Sequence, residues 1–335
     1  MQVLRIIHSF PIQAGNTQYT TMKQPDLEYD IVTACRLKDL KTLGFALPRL
    51  QEFLPHRRLI VFTAKVNFPR IRNRLGTEVE CVDEDEVFAD LKLENLRRKL
   101  MLPGFPQGAG WYFQQFLKFS YPQIRPKIPR YLIWDADTVP LRRFAVFGPE
   151  GKALLTPVTM EAAAPPRGVL LDAETREKIE RATRPHTPYF ENYRHLVGQA
   201  PHSGRSFIAQ QMPIHVPTLQ ALLERIETRF PGPGSWPWKI LNNLKGRDGN
   251  LFSEYEFYAQ YALQYAPDHH ETRPLSWSRA GRLNVWPSAE TQFSRWATEL
   301  DYVALESSGS PWRRRIVKAF HCLPANWQWQ LRRGR

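Results

Sequence analysis

The chain has 335 residues, of which 42% are hydrophobic and 24% are charged, as in ordinary globular proteins. This length is enough for one large domain or two small ones, and no apolar run of 18 residues is present that could span a membrane. The three cysteines are far apart and odd in number, which argues against a disulfide framework and against a cysteine zinc site. Because residues 1–8 lack the long apolar stretch of a secretory signal, we expect a cytoplasmic location.

The net charge of +13 indicates an anionic partner. Arginines gather near the C-terminus, in Trp312–Arg315 and again in residues 331–335. Basic segments that also carry tryptophan can lie on anionic bilayers. An anionic membrane surface, here the inner face of the cytoplasmic membrane, is therefore one predicted partner, and general basicity of the proteome is the alternative.

Strands and helices alternate along the first half of the chain. Residues 1–27 form a short lead-in, and strands are predicted at 29–35, 58–63, 78–82 and from 131 onward. Between them helices are predicted at 37–50, 66–75 and 90–100, followed by a loop and an aromatic-rich helix within 108–120. This order predicts an α/β fold, with a mostly parallel sheet flanked by helices and ligands at the carboxyl ends of the strands.

The second half is more irregular and rich in proline. We predict a helix over 218–230, a loop over 231–238, and a second helix that begins at Ser253 and ends near Tyr265. The predicted division is a first half over 28–145, a second half over 146–275, and a basic, helical extension rich in Trp and Arg over 276–335.

The most informative stretch is Tyr131–Pro140, in which an apolar strand leads into Asp135-Ala136-Asp137. The strand is predicted to end in this motif, and because positions two apart in a strand point to the same side, Asp135 and Asp137 are expected to aim their carboxylates at one spot. Two adjacent carboxylates repel each other unless a cation lies between them, and Mg²⁺ or Mn²⁺ suits that role when substrate phosphates complete its coordination. Acidic residues also end strands simply because a loop begins there, so the motif alone does not decide the function.

Three pieces together resemble a bacterial family of GT-A-type glycosyltransferase-like proteins formerly filed as a domain of unknown function. They are Gly110–Lys118 (GWYFQQFLK), Tyr131–Leu141 with its Asp-x-Asp, and Phe252–Tyr258 (FSEYEFY). The resemblance covers about residues 28–265, and it implies that the half over 28–145 binds the nucleotide-sugar and the half over 146–275 binds the acceptor. It implies a GT-A-like (Rossmann-like) fold, a Mn²⁺ or Mg²⁺ cofactor and a nucleotide-sugar donor. It also implies a glycan or glycolipid acceptor, such as a cell-surface polysaccharide or lipopolysaccharide.

The resemblance also assigns roles to individual residues. Asp137 is the stronger metal ligand, with Asp135 acting through water or the ribose of the nucleotide. The metal assists departure of the diphosphate as a Lewis acid. Further nucleotide-sugar contacts are implied for residues that follow the predicted strands or lie on the aromatic helix: Thr33, Cys35, Arg36, Asp83, Trp111, Gln114, Gln115 and Lys118. For Trp111, packing in the core is the favoured alternative.

Two glutamates follow the helix start at Ser253, and their predicted roles differ. Ser253 and Glu256 match a capping box, which gives Glu256 a structural role, with a secondary role at the acceptor as the alternative. Glu254 has no such role, and its carboxylate in the first helical turn is the predicted general base for the acceptor hydroxyl. His202 is the acceptor-side or third-ligand candidate that we single out. His215, His269, His270 and His321 are further candidates without diagnostic spacing.

Two other functions compete with glycosyl transfer. Asp135–Val139 also matches the first motif of haloacid-dehalogenase-like phosphatases, in which Asp135 would be the nucleophile. That motif normally opens its domain, whereas three strand–helix units precede it here. A nucleic-acid-binding protein would agree with the net charge, but no recognition motif supports it, and we expect no nucleic-acid partner.

Overall fold

The computed structural model describes residues 29–100, 108–158, 187–246, 250–279 and 288–305. The predicted lead-in, the basic segments Trp312–Arg315 and 331–335, and His321 lie outside these ranges. Within them, no helix is long and apolar enough to cross a membrane.

The centre of the molecule is a five-stranded sheet with the order β3-β2-β1-β4-β7. Its strands are β1 (Asp30–Ala34), β2 (Leu59–Thr63), β3 (Glu80–Asp83), β4 (Arg130–Trp134) and β7 (Gln211–His215). The first four are parallel, and β7 runs antiparallel to β4, with Arg130 opposite His215 and Trp134 opposite Gln211. All residues of β2 and all but the first of β4 are buried, as apolar runs between two helical layers require. The expected α/β fold is confirmed.

Ten helices within the described ranges accompany the sheet. They are α1 (Leu40–Phe53), α2 (Phe68–Leu75), α3 (Leu93–Leu100), α4 (Ala109–Phe119), α5 (Tyr121–Ile124), α6 (Thr187–Val197), α7 (Val216–Arg229), α8 (Trp236–Asn243), α9 (Glu254–Tyr265) and α10 (Ala289–Trp296). Helix α9 is buried from Glu254 to Ala262, so the helix that the Ser253 cap starts lies at the centre of the molecule. One buried apolar cluster joins residues on both sides of the predicted boundary at 145.

Two expectations for the second half are wrong. Residues 236–238 belong to α8 and not to a loop, because Ser235 is the extended N-cap residue and Pro237 falls in the first turn, where its missing N–H is harmless. The chain around 211–215 was expected to be irregular but forms β7. Its Pro213 is tolerated because β7 is an edge strand of this sheet, where a missing N–H breaks no ladder bond.

Two small sheets complete the described fold. Strands β5 (Thr138–Pro140), β9 (Trp277–Arg279) and β10 (Tyr302–Ala304) form one, with β10 in the middle, while β6 (Ala153–Leu155) pairs with β8 (His270–Thr272). In the first of them, the Trp277 and Tyr302 rings stack with centroids 5.6 Å apart, and Tyr302 also meets the Trp134 ring of β4. This aromatic contact joins the small sheet to the end of β4, where the Asp-x-Asp begins.

Candidate functional site

The Asp-x-Asp lies at the point where the sheet changes direction. From β1 the chain adds β2 and β3 on one side, and it then returns to place β4 on the other side of β1. Ligands of open α/β sheets bind at such a switch point, outside the carboxyl ends of the two strands. Asp135 follows β4 directly, and Cys35 and Arg36 follow β1. The candidate site is therefore the cleft between these two strand ends.

The motif is a turn rather than the end of a strand. Strand β4 ends at Trp134, and the Thr138 N–H donates to the Asp135 carbonyl at 3.0 Å, the bond of a four-residue β-turn. The expectation that strand alternation aims both carboxylates is therefore wrong, because Asp137 lies inside the turn. Leu305 N–H donates to the Asp137 carbonyl at 2.7 Å, so the residue after β10 fixes the turn from outside. Asp135 and Asp137 are both half-buried.

Three side chains converge on the Asp135 carboxylate. Lys118 Nζ lies 2.7 Å from Oδ1, and the Tyr255 hydroxyl donates to the same oxygen at 2.8 Å. The Gln210 amide, in the orientation that satisfies both of its neighbours, donates to Oδ2 at 3.2 Å and accepts from Arg279 Nη2 at 2.9 Å. Burial and the Asp135 charge raise the pKa of Tyr255 well above its ordinary value, so its hydroxyl stays protonated and acts as a donor.

Lys118 is a buried cation between two carboxylates. Besides Asp135 it contacts Glu254 Oε1 at 2.6 Å, and both Lys118 and Glu254 are almost fully buried. Burial alone would lower the pKa of Lys118, but the Asp135 and Glu254 charges prevail and raise it, so its ammonium persists. For Glu254, burial and the Asp135 charge raise the pKa while Lys118 opposes them. Lys118 therefore has its charge balanced within the protein.

Helix α4 and the start of α9 are also joined by Gln115. Its side-chain oxygen accepts from the Glu254 N–H at 2.9 Å, and its amide nitrogen donates to the Trp111 carbonyl at 3.0 Å. Gln115 is buried, whereas Gln114 and Trp111 are half-buried. Gln115 uses its amide to join the two helices, so Gln114 is the glutamine of this pair whose side chain is not buried.

Further residues predicted to contact the nucleotide-sugar lie at the ends of β1 and β3. Arg36 is exposed, and its guanidinium lies so close to Gly110 that a side chain at that position would collide with it. Thr33 and Cys35 are buried, and burial raises the pKa of the Cys35 thiol to about 12. Asp83 is half-buried and accepts from the Asp85 N–H at 3.2 Å. Of the residues predicted after β1, Arg36 alone presents an exposed side chain.

Glu256 faces away from this cleft. Ser253 Oγ accepts from the Glu256 N–H, which is half of the expected capping box. The Glu256 carboxylate does not return to Ser253 but accepts from Ser206 Oγ and from the Phe207 N–H at 2.9 Å. Burial raises its pKa to about 7, against the opposing effect of these hydrogen bonds. The expectation of a reciprocal capping box is therefore wrong, because the Glu256 carboxylate binds Ser206 and Phe207 instead of Ser253.

The histidines do not converge on the Asp-x-Asp. His202 is exposed on a loop, and His215 lies at the opposite end of β4, paired with Arg130. His215 stacks on His269 with ring centroids 4.4 Å apart and meets His270 edge-on at 5.9 Å. Within the described ranges, no three His, Cys, Asp or Glu side chains form a group that could hold a metal ion. A cation at the Asp-x-Asp would therefore need oxygens from a ligand.

Comparisons with known proteins identify no family. No protein-family model matches the chain, and no curated protein matches it. Among solved structures, the chain is similar to the crystal structure of mouse xyloside xylosyltransferase 1 in its apo form. The two share 17% identity, with 85% of this chain and 99% of that chain covered, at a TM-score of 0.44. This similarity is too low for the activity of that enzyme to be transferred to this chain.

Proposed function

We propose that the chain is a metal-dependent glycosyltransferase, which transfers a sugar from a nucleotide-sugar donor to a hydroxyl of a glycan or glycolipid acceptor. The observation that carries the proposal is the Asp135-Ala136-Asp137 turn at the switch point between β1 and β4. It agrees with the GT-A resemblance of the three sequence pieces, which come together here: Lys118 from the first, Asp135 from the second and Tyr255 from the third.

The carboxylates of the turn suit a hard divalent cation. Mg²⁺ is commonly held by one or two carboxylates together with substrate phosphates, and that requirement fits a site with two acidic residues and no third protein ligand in the described ranges. Asp137 and Asp135 would hold Mg²⁺ or Mn²⁺, which supplies Lewis-acid stabilisation of a departing diphosphate. Asp135 accepts from three donors, which agrees with the indirect role that the resemblance gives it, while Asp137 is the direct ligand that we propose.

The neighbouring residues divide the remaining tasks. Arg36, exposed beside Gly110, would meet an anionic diphosphate, and Gln114, half-buried on α4, would hydrogen-bond a sugar hydroxyl. Glu254 is 3% exposed and ion-paired, which supports a role as the counter-charge of Lys118. Its sequence-based role as general base requires contact with an acceptor hydroxyl and stays a prediction.

Donor turnover by the purified chain tests the proposal. Nucleotide-sugars are incubated with Mn²⁺ or Mg²⁺, with and without EDTA, and nucleoside diphosphate and inorganic phosphate are measured separately. Metal-dependent release of nucleoside diphosphate is expected, and Asp137→Ala abolishes it. Release of inorganic phosphate from phosphomonoesters instead, dependent on Asp135, would establish the phosphatase alternative.

A further inference from the structure

Gln210 has an unusual backbone for its residue type. Its φ is +62°, and it is the one non-glycine residue with positive φ within the described ranges. A side chain with a Cβ is strained in this region, and such strain persists only where the surroundings enforce it. Strained residues concentrate at functional sites, so the position of Gln210 needs an explanation from its contacts.

Those contacts all lead to the Asp-x-Asp turn. The Gln210 carbonyl accepts from the Asp135 N–H at 3.0 Å, and its amide nitrogen donates to Asp135 Oδ2 at 3.2 Å. The amide oxygen accepts from Arg279 Nη2 at 2.9 Å, and Gln210 is only 6% exposed. Lys118 and Tyr255 both bind the other oxygen, Oδ1. Gln210 therefore supplies the contact to Oδ2. Because both carboxylate oxygens are then held, the plane of the carboxylate is fixed.

We infer that Gln210 is a positioning residue, which holds the Asp135 carboxylate in place through a backbone conformation that its own residue type disfavours. The strain has a geometric reason. Residue 210 must pair its carbonyl with the Asp135 N–H at the start of β7 and also turn its side chain back to the same residue. The effect on nucleotide binding rests on the proposed function; the coupling between Gln210 and Asp135 does not.

Two substitutions separate the strain from the contact. Gln210→Ala and Gln210→Gly both remove the amide, but only glycine relieves the positive φ. We expect Gln210→Gly to melt at a higher temperature than Gln210→Ala. Both variants should bind a nucleoside diphosphate with Mn²⁺ at least tenfold more weakly than the wild type, as measured by calorimetric titration. A residue with only a structural role would recover affinity in the more stable glycine variant.

A double-mutant cycle tests the inference when no nucleotide binds. Asp135→Asn is introduced into the wild type and into Gln210→Gly, and denaturant unfolding is measured in all four proteins. We expect the effect of Asp135→Asn on the unfolding equilibrium constant to differ at least fivefold between the two backgrounds. Equal effects would overturn the inference, as would wild-type affinity in a folded Gln210→Gly. If the wild type binds no nucleotide while the cycle shows coupling, the proposed function fails and the positioning role of Gln210 stands.

Discussion

The Tyr255 hydroxyl donates a hydrogen bond to the Asp135 carboxylate at 2.8 Å, although 120 residues separate the two along the chain. Lys118 reinforces the link, since its Nζ lies 4.9 Å from the centroid of the Tyr255 ring while it contacts Asp135. The start of α9 and the turn after β4 are therefore one polar unit. A substitution at Tyr255 should therefore change the surroundings of the Asp135 carboxylate, and a substitution at Asp135 should change those of Tyr255.

Asp137→Ala tests the predicted metal ligand. We expect the transfer rate to fall about a hundredfold or more, because Lewis-acid stabilisation of a leaving group is worth several kcal/mol. The free energy of unfolding should change little, since Asp137 is only half-buried. Asp268→Ala, which removes an exposed aspartate, is the matched control. Wild-type metal-dependent nucleotide affinity in Asp137→Ala would disprove the assignment.

Lys118→Met should destabilise the protein strongly. It leaves the buried Glu254 carboxylate without its cation, and breaking a buried ion pair typically costs about 3–5 kcal/mol. Adding Glu254→Gln removes that uncompensated charge, so the double variant should regain part of the loss in urea denaturation. The double variant should still bind nucleotide weakly, because Asp135 has lost Lys118. A single variant as stable as the wild type would show that the buried charges are not coupled.

Glu254→Gln alone distinguishes the two roles considered for Glu254, which are the counter-charge of Lys118 and the general base. We expect a loss of about 1–3 kcal/mol in stability, because Lys118 keeps only Asp135 as an ionised partner. We expect turnover at saturating substrates to fall by less than about tenfold, whereas a missing general base costs about a hundred- to ten-thousand-fold. The larger loss, in a variant of unchanged stability, would restore Glu254 as the base.

Glu256 should make the protein less stable as the pH rises. Its pKa is raised from 4.5 to about 7 in the folded state, so between these values the unfolded chain has lost a proton that the folded protein keeps. Stability from this group is complete below about pH 4.5 and is lost as the pH rises through 7, on the order of 3 kcal/mol in total. Glu256→Gln, which can still accept from Phe207, should remove this slope and be more stable at pH 8. Parallel pH profiles for the two proteins would contradict the prediction.

His270 should produce the opposite trend in acid. Burial lowers its pKa to about 4, and its ring contacts the Tyr258 hydroxyl and the Ala266 carbonyl, each at 2.8 Å. As the pH falls, His270 binds a proton near pH 6.5 in the unfolded chain but only near pH 4 in the folded protein. The free energy of unfolding therefore decreases as the pH falls from about 6.5 to 4. His270→Gln should flatten that part of the unfolding profile. His215, whose ring meets that of His270, shares the trend and contributes the part of the slope that remains in His270→Gln.

Local patterns predicted the sheet well and the site only in part. Strands β1, β2 and β4 are apolar runs bounded by polar residues, so their burial can be predicted from the sequence alone. Strand β7 has Pro213 at its centre, and its pairing depends on a distant partner strand: Tyr131 lies opposite Ile214, 83 residues away. No local signal marks it as a strand.

Dependence on distant partners also explains which site residues cannot be predicted from the sequence. Asp135 and Asp137 stand in a motif, and Glu254 stands beside a recognisable cap. Tyr255 lies next to Glu254 in the sequence, so the motif that contains both could have indicated it. Gln210 and Arg279 carry no pattern, because Gln210 contacts Asp135, and Arg279 contacts Gln210, only when β7 and β9 reach the end of β4. Only the pairing of strands in the folded protein brings these two residues to the site.

The antiparallel β7 also has a consequence for how the chain is made. Until residues 211–215 leave the ribosome, β4 is the outermost strand of a growing sheet, with four buried, mostly aromatic or aliphatic residues at an open edge. Such an edge is a template for pairing with other chains, and long-range strands close late. The order of synthesis therefore leaves this edge open to pairing with other chains until the fifth strand arrives.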